Sequence, residues 1–375
     1  MIRPMSVYAT AFFALISTSA LAQTAPTDQF VSAFRDSASA AGLSLSWATE
    51  TPNADGVVLG QVELGDARTG RVFSVERIMV EGISVDKDGR AVARRLVVSD
   101  EIIDVEGKGI GTGIDVAVNG LVFEGVATPA PGSAMLRDIA VHYDRMALGN
   151  LQVMINGATF ARFDNAFTTA EWKADERLSF TGGIGSFSIF ATEIPWFLQL
   201  GYPTVSGSAA MTGHWSVADG RMSVKSTLDV VQAFGIEASI DLSGYSRELY
   251  AAAASPRASA DTMTFSLMAM SLDAAKVAYQ DKSFVNRALD LAAVTKGRPV
   301  EAVIEEITRP IAAQTSAFHE DPAKGTALLE TIRAFLADPG SLTLALAPKT
   351  PVSIMEMGAR VPYPGDRLGV TLTRK

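Results

Sequence analysis

The chain has 375 residues, no cysteine and a formal net charge of −9. An acidic chain without a basic block argues against nucleic acid as a partner, and the lack of cysteine rules out a disulfide framework. Apolar residues at 48% and charged residues at 19% argue against global disorder and supply an ordinary core.

Arg3 precedes the uncharged apolar run Met5–Ala22, which closes on Ala20-Leu21-Ala22. That order is the pattern of a secretory signal peptide cleaved before Gln23, so the mature protein is expected in the periplasm. No cysteine follows the run, so lipoprotein attachment is not expected. No later stretch reaches the roughly 18 uncharged apolar residues of a spanning helix, so no retained transmembrane segment is expected. The best rival, Ser188–Pro203, carries Glu193 and Pro195.

Beyond the cleavage point, Thr27 can cap a helix with Phe30, Phe34, Ala38 and Ala41 on one face and Gly42 as its stop. From Leu43 to Tyr279 apolar residues recur at period two, as half-buried strands require. Asp55-Gly56, Asp88-Gly89, Asn119-Gly120, Asn156-Gly157 and Asp219-Gly220 punctuate these runs as turn signals. A weak repeat joins Ile78–Val85, Val116–Phe123 and Val153–Phe160, each with a polar-glycine pair between apolar residues. Each of these glycines suits a hairpin turn, or a bulge that lets one strand continue with its faces switched.

Catalytic signatures fail on inspection. Ser84 and Lys87 match SxxK, but on a strand running into a turn they face opposite sides. Asp86–Arg90 begins like a calcium loop with no glutamate to close it. The glycine-rich Gly107–Val116 lacks the lysine-serine ending of a phosphate loop and leads into a strand. The histidines His142, His214 and His319 show no metal-ligand spacing, and no GxSxG occurs. Neither a metal nor a cofactor is expected.

Ile194–Pro203 crowds Trp196, Phe197, Leu198, Leu200 and Tyr202 between prolines. It suits either a core-plugging crossover or an apolar lip. At Tyr279–Ala293 a period-two run gives way to a helical pattern. Asp281 or Ser283 is placed to cap the helix, with Arg287 on its exposed side. Phe284, Ala288, Leu291 and Ala292 form one stripe; Val300, Val303, Ile304, Ile307 and Ile311 form a second, with a kink at Pro310. Leu328, Leu329, Ile332, Phe335 and Leu336 form a third, stopped at Asp338-Pro339-Gly340. The helical segment thus spans about residues 283–338, and Ser341–Pro348 returns to period two.

The segments Asp229–Ser246 and Ala275–Ala293 resemble the AsmA-like group of β-rich periplasmic envelope proteins, and the whole texture resembles uncharacterised exported proteins of Gram-negative bacteria. The resemblance spans the last half of the chain. It implies curved sheets whose apolar concave face holds acyl chains, and it brings no catalytic residues. The cleavable leader departs from that group and puts a role bridging two membranes in doubt.

The expected fold is α+β and β-dominated: an extended or curved antiparallel sheet with an N-terminal helix and a C-terminal helical segment packed on it. The expected organisation is a signal peptide over 1–22, an N-terminal helix and β region over 23–260, and strands with the helical segment over 261–375. The expected function is non-enzymatic binding of an apolar ligand, a lipid, in a groove between sheet and helices, with an envelope protein as the other possible partner. Trp196, Phe197, Leu198 and Leu200, with Ile304 and Phe335, are the candidate ligand contacts. A structural or interaction protein without a small ligand is one alternative. A hydrolase whose dispersed site gathers His142, His214, Asp281 and Ser283 is the other.

Overall fold

A computed structural model describes residues 26–40, 43–66, 71–104, 114–129, 136, 141–173, 176–191, 194–254, 264, 268–357 and 364–375. The leader, the Ala41-Gly42 stop and the glycine run before Ile114 lie outside the described residues.

In chain order, α1 (Pro26–Ala40) precedes β1 (Leu43–Asn53), β2 (Gly56–Asp66), β3 (Arg71–Val85), β4 (Ala91–Val98) and β5 (Glu101–Asp104). Then come β6 (Ile114–Ala127), β7 (Arg145–Ile155), β8 (Ala158–Trp172), β9 (Arg177–Phe190) and α2 (Pro195–Gln199). β10 (Thr204–Ser216), β11 (Arg221–Val230), β12 (Phe234–Ser243), α3 (Arg247–Ala254) and β13 (Ser271–Asp281) follow. The chain closes with α4 (Phe284–Lys296), α5 (Val300–Phe318), α6 (Pro322–Ala337), β14 (Ser341–Leu346), β15 (Val352–Ser353), α7 (Ile354–Met357), α8 (Pro364–Leu368) and β16 (Val370–Arg374). The fold is β-dominated and antiparallel. Two compact units divide it: residues 1–182 with 246–266, and residues 183–245 with 267–375.

In the first unit β1, β2, β3, β4, β6, β7 and β8 are neighbours in that order, and β5 pairs with β6. α1 lays Phe30, Phe34 and Ala38 on this sheet, where they join Val57, Leu59, Ile78, Val80, Leu96 and Phe123 in one buried cluster. The predicted face of the helix is the one used. Thr27 lies inside the first turn instead of capping it, because Pro26 takes the first helical position, where its missing N–H costs nothing. α3 joins this unit through an ion pair from Arg247 to Glu176 at 2.6 Å and an edge-to-face contact of Tyr250 with Trp172.

The repeated polar-glycine pairs take two different structures. Asn156 and Gly157, with φ of 51° and 79°, form the tight turn between β7 and β8, where both central residues must be left-handed. Gly82 and Gly120 lie inside strands, with φ of 66° and 68°. No extra residue is inserted: Glu81 and Ile83 still face Arg95 and Ala93, and Asn119 and Leu121 still face Asn150 and Leu148. Asn119-Gly120 therefore does not end a strand. A single left-handed residue instead reverses the alternation, so Ile83 packs on the same core as Ile78 and Val80. The Asp86–Arg90 turn is closed by the chain's own cation. Asp86 accepts the N–H groups of Asp88 and Arg90, and the buried Arg90 guanidinium meets Asp88 at 2.6 Å.

In the second unit β10, β11, β12, β13, β14 and β16 are neighbours in that order, with β15 on β13. The register separates two faces. One carries Lys225, Ser239 and Lys276, then Ser223 beside Asp241, and Thr343 beside Thr373. The other carries Leu228, Ile236, Tyr279 and Leu342, then Val224, Ile240, Ala275 and Leu346. The cluster of Leu242, Met270 and Leu272, joined by Ile354 and Leu368, covers one end of this apolar face.

α4, α5 and α6 pack on one another through Leu289, Ala293 and Val303, with Ile304 and Leu336 partly buried against them. The buried phase of α4 is therefore one residue on from the predicted stripe. On α5 the fully buried residues are Val303, from the predicted stripe, and Thr308, which lies outside it, while Ile307 is 42% exposed. Thr308 satisfies its hydroxyl by donating to the Ile304 carbonyl at 2.8 Å, which removes the cost of burying it. Pro310 lies within α5 as expected.

A clasp ties α8 to the α5–α6 junction. Asp366 accepts from Lys324 Nζ at 2.6 Å and the Glu320 N–H at 2.6 Å, and it meets His319 Nδ1 at 3.1 Å. His319 is buried, with Gly365 pressed on its ring. Lys324, then the Glu320 N–H and His319, hold the Asp366 carboxyl well below the usual carboxylate range. A depressed carboxylate stabilises the fold above its unfolded value of about 3.9, and that gain disappears as pH falls through the folded value. Asp366→Asn is therefore expected to lower the thermal midpoint at pH 7, with the gap to the parent starting to narrow below about pH 4 and closing only in stronger acid. Melting curves across pH check this; a gap that persists undiminished in acid would contradict the clasp.

Candidate functional site: an apolar row on the second sheet

Within the second unit, Met211, Ser226, Ala238, Val277, Leu344 and Leu372 pair in turn across six strands. Met211, Val277 and Leu344 of this row are 41%, 41% and 38% exposed. The flanking rows are better covered. On one side Tyr279 lies beneath Phe335, ring centroids 5.9 Å apart and edge-to-face. On the other, Ile240, Ala275 and Leu346 pack against the Leu242–Met270–Leu272 cluster. An exposed apolar strip thus runs transverse to the strands, bordered by covered rows. Same-face residues are about 6.7 Å apart along a strand, so the bordering rows are roughly 13 Å apart, centre to centre. Once their side chains are placed, that gap is narrower than a helix, whose diameter is about 10–12 Å.

The predicted contacts fall in three places. Phe335 is buried over Tyr279 and forms a wall of the strip, and Ile304 lies in the cluster between α4 and α5. Trp196, Phe197, Leu198 and Leu200 are on and just after α2. Leu200 is buried, while Trp196 and Leu198 stand 49% and 45% exposed, with Trp196 stacked on Phe197 at 3.8 Å. Arg287, expected on an exposed helix side, holds this segment. Its guanidinium donates to the Leu200 and Gly201 carbonyls at 3.1 Å and lies over the Tyr202 ring. The reason is local: Gly201, at φ 77°, turns two carbonyls toward α4. Sequence reasoning missed Met211, Val277 and Leu344. Their period-two spacing was visible, but their shared row is set by which strands pair.

The polar residues near the start of α4 are already engaged. Asp281 Oδ1 accepts the Tyr279 hydroxyl at 2.8 Å and the Val285 N–H at 3.0 Å, so it supplies the cap that Ser283 does not. Ser283 donates to the Gln232 carbonyl and shares a hydrogen bond with the Tyr202 hydroxyl. His142 belongs to the first unit and His214 to the second. On the polar face of the second sheet, His214, Ser223 and Asp241 pair in that order beside an open concavity of about 520 Å³. The serine lies between histidine and carboxylate, whereas base catalysis of a serine needs the histidine in the middle. Among the described residues no group of metal-ligating side chains is placed to hold an ion, and no helix is long and apolar enough to cross a membrane.

A family model described as "Uncharacterized protein" matches residues 227–375. That span begins within β11 and takes in Val277, Leu344 and all of α4, α5 and α6. Among curated proteins none matches this chain.

Proposed function

We propose that this protein is a non-enzymatic, exported envelope protein of the periplasm that holds a lipid acyl chain along the Met211–Val277–Leu344 row. One observation carries the reading: three large apolar side chains from three strands share one transverse row and stay open to solvent. Full burial of such a side chain is worth about 1.5–3 kcal/mol, so the two-fifths of each left in water forgoes roughly 0.6–1.2 kcal/mol, which an acyl chain recovers without hydrogen-bond partners. The apolar run at the N-terminus, with its A-x-A ending, supports export to a lipid-rich compartment. The experiment is mass spectrometry of an organic extract from protein purified out of a native periplasm without detergent. A stoichiometric lipid is expected, and it should be lost with Val277→Asp. An apo protein that also takes up no lipid from vesicles would end the proposal and favour an interaction protein.

A further inference from the structure

The row and the two rows that border it carry almost no charge. Ala209, Leu228, Ile236, Tyr279 and Leu342 lead across one border to Arg374; Gly213, Val224, Ile240, Ala275 and Leu346 lead across the other to Val370. Between them lie Met211, Ser226, Ala238, Val277, Leu344 and Leu372. Arg374 is the one charged side chain in all three rows. It stands at one end, on the last strand, two residues along the same face from Leu372. There its Nη2 donates to the Asp338 carbonyl at 2.7 Å and is paired with the Asp338 carboxylate. Its Nε is buried and has no hydrogen-bond acceptor. The Arg374 side chain is 30% exposed and Asp338 86% exposed, so the existing pair is weakened by solvent. A guanidinium has five N–H donors in a fixed fork that matches a carboxylate or phosphate.

Taking the acyl-chain reading as its basis, we propose that the row binds a single-chain amphiphile with an anionic head group, the tail across Met211, Val277 and Leu344 and the head at Arg374. Charge complementarity selects the head: an anion at this end meets Arg374, the one charged side chain of the three rows, whose Nε has no acceptor and whose Nη2 it would share with Asp338. A cationic head would be repelled, and a neutral one would leave the fork without a new partner. Geometry selects the tail. Six strands give five spacings of about 4.8 Å, roughly 24 Å in all. An extended chain advances about 1.25 Å per carbon, from C–C bonds of about 1.5 Å, so the row accommodates up to roughly 19 carbons, and a hexadecanoate tail fits within it. The strip is one row wide, which suits one tail and not a diacyl lipid.

The test is titration of the full-length mature protein with hexadecanoate and with its methyl ester, both below micelle-forming concentrations. The acid is expected to bind roughly tenfold tighter or more, the usual return on a charge-assisted hydrogen bond. Arg374→Met should erase that preference and leave the ester's affinity unchanged. Asp338→Asn, an exposed site whose change does not threaten folding, should free the guanidinium and strengthen acid binding severalfold. Should acid and ester bind alike, both abolished by Val277→Asp, the head-group assignment fails while the acyl-chain reading survives. If neither ligand binds, both fail together.

Discussion

Phe335→Ala is expected to cost the second unit about 3–5 kcal/mol, the loss usual for truncating a buried aromatic. Phe335 is 6% exposed and edge-on to Tyr279, which in turn stacks on Phe234; Phe234 meets Phe284 edge-to-face. The substitution therefore removes the outermost member of a four-ring chain and the wall on one side of the apolar row. Trp196 and Trp215 belong to the second unit and Trp47 and Trp172 to the first, so replacing the latter two with Phe leaves a fluorescence reporter for the second unit alone. Urea titration in that background reads the loss directly. Ile307→Ala is the control: at 42% exposure it should cost less than about 1 kcal/mol. Equal losses at the two positions would mean that the helical segment does not derive its stability from the Phe335 contact.

That pair of substitutions also marks where the sequence was legible. Phe30, Phe34 and Ala38 recur at helical spacing, and they are the residues that α1 buries. The strand runs and the Asn156-Gly157 turn were equally clear, because local period and turn chemistry determine them. Phe335 and Ile307 occupy comparable places in two predicted stripes, yet only one is buried. A stripe on a helix gives its apolar side to within a residue or so; the neighbour decides the rest. α5 is packed by both α4 and α6, so its buried centre falls on Val303 and Thr308. Thr308 is acceptable there because its hydroxyl finds a carbonyl on its own helix.

The exposed row was the least legible feature. Met211, Val277, Leu344 and Leu372 lie far apart in sequence, and nothing local aligns them. The alignment needs each hairpin register in turn, and a slip of one residue on any strand would move its side chain to the polar face. The same non-local dependence explains the three glycines. Gly82, Gly120 and Gly157 sit in similar sequence windows, but whether the chain reverses or continues after the left-handed residue depends on the strand waiting to pair with it.

The second large effect concerns the join between β13 and α4, where a carboxylate, an amine and a hydroxyl gather. Asp281→Ala should cost about 1.5–5 kcal/mol: roughly 0.5–2 for the lost helix cap and about 1–3 for a buried donor left unpaired. Asp281 is 8% exposed and accepts from both the Tyr279 hydroxyl and the Val285 N–H. Burial, then the hydrogen bond to Asp281 and its charge, hold the Tyr279 phenol far above its ordinary range, so it remains a donor at every working pH. Both donors need an acceptor oxygen, and neither is a cation. Asp281→Asn retains that oxygen and should cost under about 1 kcal/mol. The fluorescence-monitored urea titration separates the two cases. If Asn proved as damaging as Ala, the charge of Asp281 would be what matters, and its role would extend beyond capping α4. If Asn is mild and Ala severe, the polar cluster is the fastening of a helix whose partners form one wall of the apolar row. Lys282 then completes the join from outside through its ion pair with Asp229.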